Sequence, residues 1–233
     1  MEQIPLFDDL QKPSDRFGWN HKHVPEKLLT LSSGQTVFHE GNRREFIFEV
    51  QSGTLKLSKV TEDGRQLILG FPSTGDIIGL AGVTEYQHTA ETVSAAKLRP
   101  IVRWTMSGKP VLDQRGIVQL LDWIGVQQMA HEEHISLLAI AQINSRVAAF
   151  LVGIARKQFS SSGNSALLHL PMTQRDIATY LAIAPETYSR TLRKFRDAQI
   201  LQPQISGNIR GALAIADIAR LQEIACGNSN LNA

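Results

Sequence analysis

The chain holds a single cysteine, Cys226, among 233 residues. An intrachain disulfide is therefore excluded, and one thiolate is too few for a Cys-ligated zinc or an iron–sulfur cluster held within one chain. Aromatic residues are only 6% and the formal net charge is +2, so bulk charge alone names no partner. Long apolar runs are also missing. The longest, around Ala148 to Ile154 with Gly153 inside it, is far short of the ~20 residues that cross a bilayer. The start, Met1-Glu2-Gln3-Ile4-Pro5, has neither the basic n-region nor the apolar h-region of a signal peptide. No P-loop, Gly-x-Gly-x-x-Gly or Gly-x-Ser-x-Gly elbow occurs, which removes three common enzyme signatures. A soluble cytoplasmic protein that is neither an enzyme nor associated with a membrane is expected.

What is present is ordinary globular material, 42% hydrophobic and 20% charged, long enough for two modest domains. From Leu28 to Trp104 glycine-bearing turns at Gly34, Gly41, Gly53, Gly64 and Gly75 stand 7, 12, 11 and 11 residues apart. Between them lie apolar or alternating runs such as Phe46-Ile47-Phe48-Glu49-Val50 and Leu67-Ile68-Leu69. Regular turns at that spacing predict an antiparallel sandwich, jelly roll or barrel. Before it, Pro5, Pro13 and Pro25 mark an arm with little structure of its own.

After Trp104 the period changes. Ser107-Gly108-Lys109-Pro110 is a break, and from about Arg115 to Ile143 apolar residues recur at helical spacing: Ile117, Leu120, Leu121, Ile124, Ile135, Leu138 and Ala141. A helix of that length runs about 40 Å and needs a partner for its stripe. Self-association as a parallel pair is the economical reading, with packing along its own β domain the alternative. Gln127, Gln128, His131 and His134 interrupt the stripe. In a dimer His131 and His134 could form a pH switch or an intersubunit metal site; as solvated positions they need no role.

Asn144-Ser145 can cap a further helix, and Ser160 to Ser165 reads as a loop. Thr173 suits the N-cap of a helix over Gln174 to Leu181, Ala182-Ile183-Ala184 is a short connection, and Pro185 opens a second helix to about Gln199. Two short helices so joined form a helix-turn-helix candidate. At about 100° per residue, Glu186, Ser189, Arg190 and Arg193 share one face of the second helix, with Lys194 and Arg196 on its flanks. Tyr188, Leu192 and Phe195 share the opposite face. Arginine can take guanine O6 and N7 together, glutamate can accept from cytosine N4, and serine can bond a base edge or phosphate. Ile200-Leu201, a turn near Ser206-Gly207-Asn208 and Leu213-Ala214-Ile215 then predict a β-hairpin wing carrying Arg210.

Leu170-Pro171-Met172-Thr173-Gln174-Arg175-Asp176-Ile177-Ala178-Thr179-Tyr180-Leu181 with Pro185-Glu186-Thr187-Tyr188-Ser189-Arg190 resembles the helix-turn-helix of the Crp/Fnr superfamily. The Glu-x-x-Ser-Arg pattern is similar to that of its FNR/FixK branch, and Val50 to Gly53, Asp63 to Gln66 and Gly75 to Gly79 resemble its β-roll. The resemblance implies an α+β chain: an N-terminal antiparallel β-roll of jelly-roll, cyclic-nucleotide-binding-like form, a long dimerisation helix, and a C-terminal winged helix-turn-helix. The divisions are an arm at 1–27, the β-roll at 28–108, linker and dimerisation helix at 109–143, and the DNA-binding domain at 144–233. It implies a homodimeric transcription regulator on a double-stranded palindrome of the form TTGAT-N4-ATCAA, with RNA polymerase as a further partner. Glu186, Ser189 and Arg190 would read bases; Thr173, Arg193, Lys194 and Arg210 would meet phosphate. Ile117, Leu120, Leu121, Ile124, His131, Ile135 and Leu138 would form the dimer seam. Ala184 departs from the branch, where a threonine or serine is common, so the outer base preferences are open.

The same resemblance bears on cofactors, of which none is expected. Relatives that bind cyclic AMP carry a glutamate and an arginine where this chain has Gly79-Leu80-Ala81-Gly82 and His88-Thr89-Ala90. The N-terminal arm lacks the cysteines of an oxygen-sensing 4Fe–4S type. A haem- or other ligand-gated regulator is the alternative, with His21, His23, His39 and His88 as nominal ligands. More distant is a cupin-like metal barrel enzyme, suggested only by the spacing of His39 to Glu45. Cys226 is a passive thiol or a redox handle.

Overall fold

A computed structural model describes residues 28–82, 84–102, 114–158, 166–202 and 211–228. The strands of the first half are β1 (Leu29–Leu31), β2 (Thr36–Phe38), β3 (Phe46–Ser52), β4 (Leu55–Val60), β5 (Gln66–Gly70), β6 (Ile77–Ile78), β7 (Thr89–Thr92) and β8 (Ala96–Val102). They form two four-stranded sheets, in the orders β1-β8-β3-β6 and β2-β7-β4-β5. Apart from the consecutive β4 and β5, neighbouring strands in both orders are far apart in sequence, the mark of a jelly-roll rather than a meander. The β-roll core gathers Phe38, Phe48, Val50, Leu55, Ile78, Tyr86, Ala90 and Leu98. Because β side chains alternate between faces, Ile47, Ile77 and Ile101 make a second cluster on the other face of the first sheet.

The expected turns are real, and Gly53 shows why one of them needs glycine. Its φ is +94°, and a Cβ there would run into the carbonyl of Ala95 and the side chain of Ala96.

The helices are α1 (Gln114–Ala139), α2 (Ile143–Gln158), α3 (Gln174–Tyr180), α4 (Pro185–Asp197) and α5 (Ile218–Ala225). At 26 residues, α1 is about 39 Å long. It ends four residues before the expected Ile143, which instead starts α2. Leu120 packs with Trp123 against Ile47, Ile77 and Ile101, so the reading of α1 as a helix lying along its own β domain holds for that side. Ile117, Leu121, Ile124 and Ile135 remain 45%, 62%, 45% and 68% exposed. With Gln128, His131 and Leu138 they stand alternately four and three residues apart, the spacing of a coiled-coil seam. His131 is exposed and Leu138 half-buried. No helix among the described residues is long and apolar enough to cross a membrane.

In the second half the expected pairing is joined by another. Leu201 bridges antiparallel to Ile215, with the amides of Gln202 and Ala216 donating to the carbonyls of Ala214 and Ile200 at 2.9 and 2.8 Å, and β10 (Ala212–Ile215) also pairs antiparallel with an upstream strand, β9 (Ala166–His169). The apolar pair Leu167-Leu168 is a further neighbour of β10 that the sequence reading did not include. The wing turn and Arg210 lie outside the described residues, as do the arm, His21 and His23. The chain divides into two compact units, residues 1–59 with 69–128 and residues 60–68 with 129–233. The division falls inside α1.

Candidate nucleic-acid interface

Thr173 opens α3 as expected. Its hydroxyl accepts from the Asp176 amide at 3.0 Å, while the Asp176 carboxylate accepts from the Thr173 amide at 3.2 Å and hydroxyl at 2.6 Å. This is a complete capping box. The hydroxyl proton is thereby committed within the chain, and Thr173 fixes the start of α3. At the far end α3 stops at Leu181, and Ala182 turns the chain with φ +52°, unusual for a residue other than glycine.

α4 starts differently. Ala184 has the extended backbone of an N-cap but no side-chain hydrogen bond, and Pro185 occupies the first turn. Proline's fixed φ suits that place, and its missing N–H would be unpaired there in any case. Tyr188, Thr191, Leu192 and Phe195 are buried, while Glu186, Ser189, Arg190, Arg193 and Lys194 are exposed. Burial pushes the Tyr188 phenol far up and keeps it neutral, with Arg196 the nearby charge opposing that shift. The apolar face therefore fixes the roll of α4, and the opposite face is displayed.

On that face a shallow, open groove is lined by Pro185, Glu186, Ser189, Arg190, Arg193 and Arg196. The three candidate base readers thus stand together, with two further guanidiniums beside them. Lys194 is exposed but does not line the groove. Arg196 was only a flank in the helical projection. The structure makes it half-buried, with its Nε enclosed and without a hydrogen-bond partner. The signal that could have found it is its position seven residues after Ser189, two turns along the same side.

Residues 145–224 match the Crp-like helix-turn-helix domain, and residues 28–105 match the cyclic nucleotide-binding domain. The fumarate and nitrate reduction regulatory protein of Vibrio cholerae is 30% identical over 210 residues, 87% of this chain and 80% of that protein. The chain belongs to the Crp/Fnr superfamily. The nitrogen fixation regulation protein FixK of Bradyrhizobium diazoefficiens is 28% identical over 200 residues, 85% of this chain and 82% of that protein. The solved structure of FixK2 from Bradyrhizobium japonicum superposes with a TM-score of 0.72 at 25% identity, over 85% of this chain and 96% of that one. As a Crp/Fnr protein the chain is a DNA-binding helix-turn-helix transcription regulator, not an enzyme, and members of this family act as dimers.

A Crp/Fnr β-roll raises the question of a cyclic nucleotide. From Gly79 to Ala90 there is no lysine or arginine. The guanidinium of Arg44 donates to the carbonyls of Gly79 and Leu80 at 3.3 and 2.5 Å. His88 is buried beside Phe38, ring centroids 5.8 Å apart. His39 and Glu45 are both exposed, and among the described residues no three His, Cys, Asp or Glu side chains gather as a metal site. Sequence reasoning also passed over Glu49, 1% exposed and paired with Arg99 at 3.4 Å. Burial pushes its carboxyl up, and Arg99 and Gln51 pull it down in part.

Proposed function

We propose that this Crp/Fnr regulator acts as a homodimer that reads a TTGAT-N4-ATCAA-like palindrome, one α4 in each major-groove half-site. The observation that carries the reading is the display of Glu186, Ser189 and Arg190 on one groove, opposite the buried Tyr188, Leu192 and Phe195. Arg190 takes the guanine through O6 and N7, Glu186 accepts from the paired cytosine N4, and Ser189 lies near thymine. Arg193, Lys194 and Arg210 neutralise phosphates, while Thr173 sets the start of α3 against the backbone; such contacts fix register without reading sequence.

The exposed stripe of α1 supplies the dimer. Ile117, Leu121, Ile124, Ile135 and Leu138 fall on a four-three spacing, with Gln128 and His131 as polar positions that set register at some cost in stability. Two-fold pairing puts half-sites about one helical turn apart, ~34–36 Å. Binding needs no cofactor, a reading supported by the lack of lysine and arginine within residues 79–90 themselves. Cytoplasmic DNA is the target, and RNA polymerase is the protein met at the promoter.

The test is fluorescence anisotropy of a TTGAT-N4-ATCAA duplex with aerobically purified protein and no added effector, at stated salt. A duplex with both G·C pairs inverted is the control. Tight binding that collapses on the control is expected. Equally weak binding to both overturns the effector-free reading or the assigned site. Stoichiometric haem, iron or nucleotide in the purified protein overturns the cofactor part alone.

A further inference from the structure

α3 presents an accounting problem at its C-terminal end. The last carbonyls of a helix have no partner within it, and here three of them are met by the chain that follows. Leu181, Ala182 and Ile183 donate their amides to the carbonyls of Ile177, Thr179 and Ala178 at 2.9, 3.1 and 3.0 Å. The next two carbonyls, of Tyr180 and Leu181, are taken by side chains from other helices. His134 of α1 places Nε2 2.9 Å from the Tyr180 carbonyl, where its Nε2–H donates. Arg146 of α2 donates through Nη1 to the Leu181 carbonyl at 3.0 Å.

Each donor also does something a water molecule could not. The imidazole of His134 stacks on the Tyr180 ring at 3.8 Å, 7° from parallel, and Phe150 of α2 tilts against that ring at 5.9 Å. Arg146 turns its remaining donors back to the carbonyl of Ile140, just past the end of α1, with Nε at 3.0 Å and Nη2 at 2.7 Å. One rigid guanidinium fork therefore ties the end of α1 to the end of α3. All these residues lie in the unit that begins at Met129.

We infer that His134 and Arg146 are positioning residues, a two-point clamp that fixes the helix-turn-helix on the last turns of α1 and so sets the half-site spacing the dimer accepts. The inference rests on the dimeric, palindrome-reading function proposed above. In a dimer held along α1, the angle at which α3 and α4 leave α1 determines the separation of the two recognition helices. A rotation of about 10° on a lever of about 20 Å moves α4 by about one base-pair rise, ~3.4 Å. Neither residue faces the groove of Glu186, Ser189 and Arg190, so their effect is on spacing and not on base choice.

The experiment measures anisotropy for duplexes with N3, N4 and N5 spacers and for one with a single half-site. The proteins are wild type, His134→Phe, which keeps a stacking ring without the donor, His134→Gln, which restores a donor, and Arg146→Lys, which cannot fork between two carbonyls. Circular dichroism melting of each gives the folded fraction. Wild type is expected to prefer one spacer at least tenfold. His134→Phe and Arg146→Lys should keep half-site affinity within about threefold and lose at least threefold in spacer preference, with His134→Gln recovering part of it. Folded variants that keep the wild-type preference overturn the clamp, as does an equal loss on every duplex including the half-site. A wild type without spacer preference overturns it while leaving base reading intact. A wild type that does not distinguish the cognate from the G·C-inverted duplex overturns the function itself, and the clamp with it.

Discussion

At the scale of single residues the decisive contrast is between Arg190 and Arg193, both exposed on one groove but given different tasks. Arg190→Ala should cost about 1–3 kcal/mol and relax preference at the guanine, whereas Arg193→Ala should weaken all sequences alike and reduce the salt slope by about 1. Anisotropy titrations of cognate and G·C-inverted duplexes at several salt concentrations check both; a uniform loss for Arg190→Ala would make it a phosphate contact. These residues were legible because a helical projection needs only the 3.6-residue period and the position of three apolar anchors. His134 and Arg146 were not legible in that way. Both depend on carbonyls 35 or more residues away, and no local pattern encodes such partners.

At the scale of elements, the unequal starts of α3 and α4 are testable. Thr173 caps α3 with a full box, while Ala184 offers α4 nothing. Ala184→Ser would let a hydroxyl accept from an unpaired amide of the first turn, and a stabilisation of about 1 kcal/mol is expected in chemical denaturation. His134 gives a second prediction. Burial holds its imidazole below the usual 6.5, with nearby His131 adding to the effect and the Tyr180 contact opposing it. The folded chain thus disfavours the proton that the unfolded chain accepts. Stability should fall as pH drops below 6.5 and level off once the folded imidazole itself titrates. Melting from pH 7.5 to 5 in wild type and His134→Phe isolates the contribution; an identical pH dependence in both removes it. The wing shows the opposite limit of sequence reading. β10 was found from its own apolar run, but its main partner β9 precedes both helices of the motif, and strand pairing across that distance leaves no periodic trace.

At the scale of the whole molecule, the order of parts was readable because each has its own period: glycine turns at 7 to 12 residues, then a long helical stripe, then two short helices. The division into units inside α1, between Gln128 and Met129, was not. A continuous helix carries no local mark of which packing partners its two ends will find. The exposed side of that helix makes the remaining prediction. Leu121→Glu or Ile135→Glu places a charge in the seam and should yield monomers by analytical ultracentrifugation, with affinity for the full palindrome falling toward that for a half-site.

The proposed seam would also make the amount of protein a variable of the system. If the exposed apolar side chains of α1 are covered by a second copy, the folding equilibrium contains concentration, so the melting temperature should rise with protein concentration. Below the dimer dissociation constant, dimer abundance, and with it palindrome occupancy at low saturation, scales with the square of the monomer concentration. A doubling of synthesis then gives about four times as much bound operator. With the proposed dimer formed along α1, that row of side chains would turn a gradual change in expression into a steep change in output, before any effector is considered.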